Sequence, residues 1–187
     1  MTKKYALTGG PSSGKSTLLK ALQSRGIYCM REVAEYIING ELERGGNILP
    51  WINRDAFQKR LLETQLEWER EIPQEARISF QDRGIADGIA YYRLDGLEVP
   101  RKLKEAARNA RYEKVFLLDM LPYEKTEVRR EDPERAKRTH EEIERVYKEL
   151  GYNLIKIPAT PLNYRTELIL DLIEFEPKLA IMGEEHE

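Results

Sequence analysis

The run Gly9-Gly-Pro-Ser-Ser-Gly14-Lys15-Ser16 follows the apolar stretch Tyr5-Ala-Leu-Thr8 and precedes Leu18, Leu19 and Leu22, which share one helical face. Glycines at its ends permit backbone conformations that aim successive amide N–H groups at one anion. A helix starting after Gly14 adds its positive end to that nest. Lys15 supplies a mobile ammonium for the β- and γ-phosphates of a nucleotide, and the Ser16 hydroxyl is a magnesium ligand. A glycine-x4-glycine-lysine-serine pattern between strand and helix therefore predicts a phosphate cradle over Gly9, Gly10, Pro11, Ser12, Ser13, Gly14, Lys15, Ser16 and Thr17, binding ATP or GTP with Mg2+.

Such a site needs a carboxylate at the end of a neighbouring strand. Two apolar runs end in aspartate, Arg77-Ile-Ser-Phe-Gln81 at Asp82 and Val115-Phe-Leu-Leu118 at Asp119. The second is the neater local match. Asp82 is preferred because Asp82-Arg83-Gly84 puts a carboxylate, a guanidinium and a flexible joint together, whereas Asp119 is read as a surface group at a strand end. Asp82 is thus expected to hold magnesium or orient an acceptor hydroxyl, with Arg83 neutralising phosphate charge. No glutamate follows Asp82. Motor-type ATPases commonly carry an acidic pair there to activate water, so its absence favours transfer to an acceptor other than water.

On the acceptor side, Glu32 follows the run Ile27-Tyr-Cys-Met30 and is a candidate base or a first-turn residue stabilised by its helix dipole. Phe57 reads as core packing, with Gln58 a minor candidate for an amide contact to a ring. Arg129 and Arg130, in the polar stretch Tyr123 to Asp132, are candidate lid arginines, with Arg135 and Arg138 behind them. An arginine delivered to a transferring phosphoryl group is worth about 10³–10⁵ in rate. Cys29, Tyr91, Tyr92 and Trp51 are read as packing residues.

Several elements must position these groups. Short apolar runs alternate with helical patterns, which predicts an α/β fold with a parallel sheet and crossover helices. Strands are expected at 5–8, 27–30, 77–81, 115–118 and 153–157. Helices are expected at 15–24, from 33 towards 44, from the cap Asn53 to about 71, at about 85–94 and 100–111, from Pro133 towards Gly151, and up to about 173. The run Val115 to Leu118 is apolar at every position, as in a strand buried on both faces. No repeat or linker divides the 187 residues. One domain is expected over 1–175, with a lid at about 122–138 and an acidic tail at 176–187.

Charged residues make up 34% of the chain, yet the formal net charge is only −2. That balance gives no global attraction to nucleic acid or to anionic membrane. No apolar run reaches the length of a membrane span. The lone Cys29 excludes an internal disulfide, and two scattered histidines make no metal cluster. A cytoplasmic domain is expected; oligomeric state is not legible.

Taken as an ordered set, Leu7-Thr-Gly-Gly-Pro-Ser-Ser-Gly-Lys-Ser-Thr17, Arg31-Glu-Val-Ala34, Ala56-Phe-Gln58, Asp82-Arg-Gly-Ile-Ala-Asp-Gly88, Arg111-Tyr112, Val115 to Asp119, Val128-Arg-Arg-Glu131 and Gly151-Tyr152 resemble an AAA-type P-loop domain family. That family includes the ribosylnicotinamide kinase domain of the bacterial NAD-biosynthesis regulator. The resemblance implies a three-layer P-loop NTPase fold of small-kinase type, with a five-stranded parallel sheet in the order 2-3-1-4-5 and a mobile lid. It also places Asp82-Arg83 where nucleoside kinases carry an acidic-arginine pair. The expected activity is transfer of the γ-phosphoryl group to a small hydroxylated metabolite such as a nucleoside. The alternative is a nucleotide-gated regulatory or ligand-binding NTPase with slow hydrolysis.

Overall fold

A computed structural model describes residues 2–121 and 132–175. Arg129, Arg130, most of the expected lid and the acidic tail lie outside the described residues. Five strands, β1 (Lys3–Thr8), β2 (Tyr28–Met30), β3 (Ile78–Asp82), β4 (Lys114–Leu118) and β5 (Leu154–Ile157), form one parallel sheet in the order β2-β3-β1-β4-β5. The helices are α1 (Lys15–Ser24), α2 (Val33–Glu43), α3 (Arg54–Arg70), α4 (Asp87–Leu94), α5 (Arg101–Asn109), α6 (Pro133–Glu149) and α7 (Leu162–Leu172). Fold class and strand order agree with the sequence reading; strand and helix ends shift by one to two residues at most termini, which is ordinary fraying.

The two-residue period of the strands builds both faces. Tyr5 and Leu7 of β1, with Phe116 and Leu118 of β4, point to the layer of α1 and α7. Ala6, Val115 and Leu117 point the other way, towards α4, α5 and α6. Central strands buried on both sides must be apolar throughout, which explains why Val115 to Leu118 is the plainest strand in the sequence. A smaller cluster of Met30, Val33, Ile37 and Phe57 seats α2 and α3 beside β2.

Asn53 caps α3, its Oδ1 accepting from the Ala56 amide at 3.2 Å. Phe57 and Tyr92 are buried, as expected, and Cys29 is half-buried against the α1–α7 layer. Trp51 corrects the sequence reading. It is 62% exposed, because Leu49 takes the inward position of the loop and leaves Trp51 and Ile52 facing out.

Candidate functional site

The carboxyl ends of β1 and β3 lie side by side, with Leu7 paired to Asp82. The Arg83 amide extends this ladder by one bond, donating to Leu7 O at 3.0 Å. This register brings the residues after β3 against the loop that leaves β1. Open α/β sheets collect ligands at this edge.

The loop from Gly9 to Gly14 turns through three positive-φ residues, Gly9 (137°), Ser12 (62°) and Gly14 (82°). Ser12 is the strained one, since a side chain costs about 1–2 kcal/mol in that region. Gly9 and Gly10 are also required by space. A Cβ on Gly9 would stand 2.7 Å from Leu118 O, and one on Gly10 2.9 Å from Ala136 O of α6. Gly14 is the N-cap of α1 and uses no side-chain cap, so the amides of the first turn stay available to an anion.

Lys15 is buried, and all three of its ammonium protons are engaged. Nζ donates to Gly9 O (3.0 Å), Gly10 O (2.9 Å) and Ser13 Oγ (3.1 Å). Burial, reinforced by the nearby Arg83 cation, lowers its pKa to about 7. Asp82 is 5% exposed and its Oδ1 has no hydrogen-bond partner among the described residues. Burial and the neighbouring Glu32 carboxylate raise its pKa to about 6 against the opposing pull of Arg83 and Lys15. Each group is thus held in a form it resists. Each would be relieved by a ligand carrying the opposite charge.

Arg83 has φ 70°, an uncommon conformation for a non-glycine residue. Its Nη1 donates to Gly9 O at 3.2 Å and faces Asp87 Oδ2 at 3.5 Å, while its Nε lies 3.9 Å from Glu32 Oε1. The Tyr91 ring supports the guanidinium at 5.5 Å, so Tyr91 does more than pack the core. Asp87 in turn accepts from Thr8 Oγ1 (2.7 Å) and from Tyr147 Oη (2.8 Å), joining β1, α4 and α6 in one buried network. Gly84 must be small here, because an added Cβ would lie 2.2 Å from Tyr147 Oη.

Glu32 is the N-cap residue of α2 and makes no side-chain cap bond, so its carboxylate is not spent on its own helix. It faces Arg83 on one side. On the other it lines a cavity of about 520 Å³ along α2 with Arg31, Glu35, Tyr36, Asn39 and Arg60. Arg31 lies between the rings of Tyr36 and Trp68, 4.8 Å from each. Gln58 lines a different, smaller cavity with Leu62, Tyr92 and Leu103, so its suggested ring contact has no support on the Glu32 side. Ser16 and Thr17 are exposed at the mouth of the loop.

The structure thus gathers Lys15, Asp82, Arg83 and Glu32 around one phosphate loop. It turns Arg135 to Asp95, at 2.8 Å, and leaves Arg138 exposed. Asp119 is half-buried at the end of β4 and forms no ion pair among the described residues. Two residues that touch the loop itself escaped the sequence reading. His140 of α6 accepts the Gly10 amide at Nδ1 (3.3 Å), and Arg165 of α7 donates to Ser13 O (2.8 Å). These contacts span 130 and 152 positions of chain, and nothing local to either residue signals them.

A family model described as an AAA domain matches residues 4–165. The chain belongs to this AAA-domain family. No curated protein matches the sequence. Among solved structures, this AAA domain is similar to thymidylate kinase from Ehrlichia chaffeensis, with TM-score 0.67 and 14% identity over 92% of this chain and 98% of that one. A NadR protein in complex with NR gives TM-score 0.68 and 18% identity, covering 99% of this chain and 52% of the other. The chain therefore spans about half of that protein. Deoxyadenosine kinase from M. mycoides, solved with its products, gives TM-score 0.60 and 16% identity over 91% and 98%. At such identities the shared property is the fold, a P-loop kinase-like one.

Proposed function

We propose that this AAA domain is a magnesium-dependent kinase that transfers the γ-phosphoryl group of ATP or GTP to a hydroxyl of a small metabolite, of nucleoside size. One observation carries the reading. Glu32 connects the two halves of the site, standing 3.9 Å from Arg83 on the phosphate side and lining the α2 cavity on the other. A transferase must hold an acceptor within reach of the phosphoryl group, and the cavity of about 520 Å³ that Glu32 lines offers room for one.

The donor set fits magnesium. Asp82 Oδ1 is a buried carboxylate oxygen with no hydrogen-bond partner among the described residues, Ser16 offers an exposed hydroxyl, and both are the hard oxygen ligands magnesium takes alongside substrate phosphates. Magnesium bound there would neutralise phosphate oxygens as charge develops.

The chain's own groups do the rest. The loop amides and the α1 N-terminus hold the polyphosphate. Lys15 leaves the Gly9 and Gly10 carbonyls for the β- and γ-phosphates, and Arg83, held by Asp87 and Tyr91, neutralises the moving phosphoryl group. Glu32 accepts the proton of the acceptor hydroxyl as its oxygen bonds to the γ-phosphorus and the bridge to the β-phosphate breaks. Arg129 and Arg130 are proposed to close the site from the segment before α6. The similar thymidylate and deoxyadenosine kinases support this reading with a shared fold that houses such chemistry.

The test is release of ADP or GDP across a panel of hydroxylated metabolites, nicotinamide riboside and other nucleosides included, with Lys15→Ala as control. A kinase accelerates release with one class of acceptor and deposits phosphate on it. Turnover that is unchanged in Lys15→Ala, or that no acceptor accelerates, speaks against the proposal.

A further inference from the structure

Arg165 is 2% exposed, yet among the described residues no carboxylate lies within ion-pair distance of it. Its Nη2 donates to Ser13 O at 2.8 Å, and its Nε is buried with no hydrogen-bond partner among the described residues. Its Nη1 lies 3.0 Å from the position of a Cβ on Gly14, so the guanidinium rests against the residue that caps α1. Asp119 acts on it only from longer range. Burial outweighs that help and lowers its pKa below the ordinary arginine value. Buried cations are ordinarily paired, because an unpaired one forfeits its hydration without return. Half-buried Arg83, by contrast, faces both Glu32 and Asp87.

Arg83 engages Gly9 O and Arg165 engages Ser13 O and rests on Gly14, with Lys15 reaching Gly9, Gly10 and Ser13 between them. A polyanion seated in the loop would therefore lie between cations delivered from β3 and from α7. We infer that Arg165 is a nucleotide-binding residue whose missing counter-ion is the polyphosphate of the bound nucleotide. The inference deepens the proposed function and rests on its nucleotide reading. A role for this residue in holding the loop shape alone would not leave Nε without a partner, since a purely structural guanidinium gains from pairing every donor it buries.

The test compares the full chain with Arg165→Gln, which keeps a donor for Ser13 O but removes the charge, and with Arg165→Met, which removes both. Dissociation constants for magnesium-ADP and magnesium-GDP are measured by calorimetry, and nucleotide-free proteins are melted in parallel. The inference expects both variants to bind the better of the two nucleotides about 10–100-fold more weakly. It also expects nucleotide-free Arg165→Gln to melt no lower than the unaltered chain, because an uncompensated charge has gone. Affinity within twofold of the unaltered chain overturns the inference while leaving the nucleotide reading intact. A lower nucleotide-free melting temperature in Arg165→Gln, accompanying weaker binding, overturns it in favour of a structural role. Failure of the unaltered chain to bind either nucleotide overturns both.

Discussion

At the scale of single residues, the site is a set of charges held against their preference. Asp82 makes this measurable. Its folded pKa of about 6 lies above its unfolded value of 3.8, so the folded chain binds this proton more tightly. The group's contribution to stability is therefore fully present below pH 3.8 and is lost as pH rises through about 6. Asp82→Asn cannot lose it. The variant should gain on the unaltered chain in chemical denaturation between pH 4 and pH 7.5, by up to about 3 kcal/mol, while losing phosphoryl transfer. A difference that stays flat across that range would contradict the assignment. The same ionisation should give kcat/KM an acid limb near pH 6, since the free enzyme must present the carboxylate form. Lys15→Ala should reduce kcat/KM by about 10²–10³ in steady-state assays, with little effect on the fold, because the ammonium contacts only the loop that it serves.

At the scale of elements, α4 and α6 hold the chemistry from behind. Asp87 at the start of α4 receives hydroxyls from β1 and α6, and Gly84 lets those pieces approach. Gly84→Ala would drive its methyl into Tyr147 Oη, so a loss of about 1–3 kcal/mol is expected in urea unfolding, together with reduced activity. Retained stability and retained activity would show that the network yields at no cost. How much of this could be read beforehand follows from distance along the chain. The phosphate loop, the Asp82-Arg83 pair and all twelve elements are legible because their signals are local: glycine spacing, strand ends and apolar periods. Asp87, Tyr147, His140 and Arg165 are not. Asp87 stands in the run 82–88 without a signal of its role, and the other three are unremarked polar residues on helices until the sheet order brings those helices to the loop. Trp51 failed for a related reason, since nothing local says whether Leu49 or Trp51 takes the inward place.

For the molecule as a whole, the sheet sets out a division of labour. In the proposed function the carboxyl ends of β1 and β3 carry the donor site, α2 lines the acceptor cavity, and Glu32 touches both. No helix among the described residues is long and apolar enough to cross a membrane, and the near-neutral composition adds no long-range attraction to nucleic acid. What distinguishes a transferase from a nucleotide-gated regulator in such a frame is the fate of one phosphoryl group. The direct measurement supplies γ-labelled ATP or GTP with magnesium and a nucleoside panel, and follows the label by mass spectrometry. The account predicts label on an acceptor hydroxyl, at a rate that collapses in both Lys15→Ala and Glu32→Gln. Label found only as free phosphate, at a rate that no acceptor changes and Glu32→Gln does not alter, would contradict it.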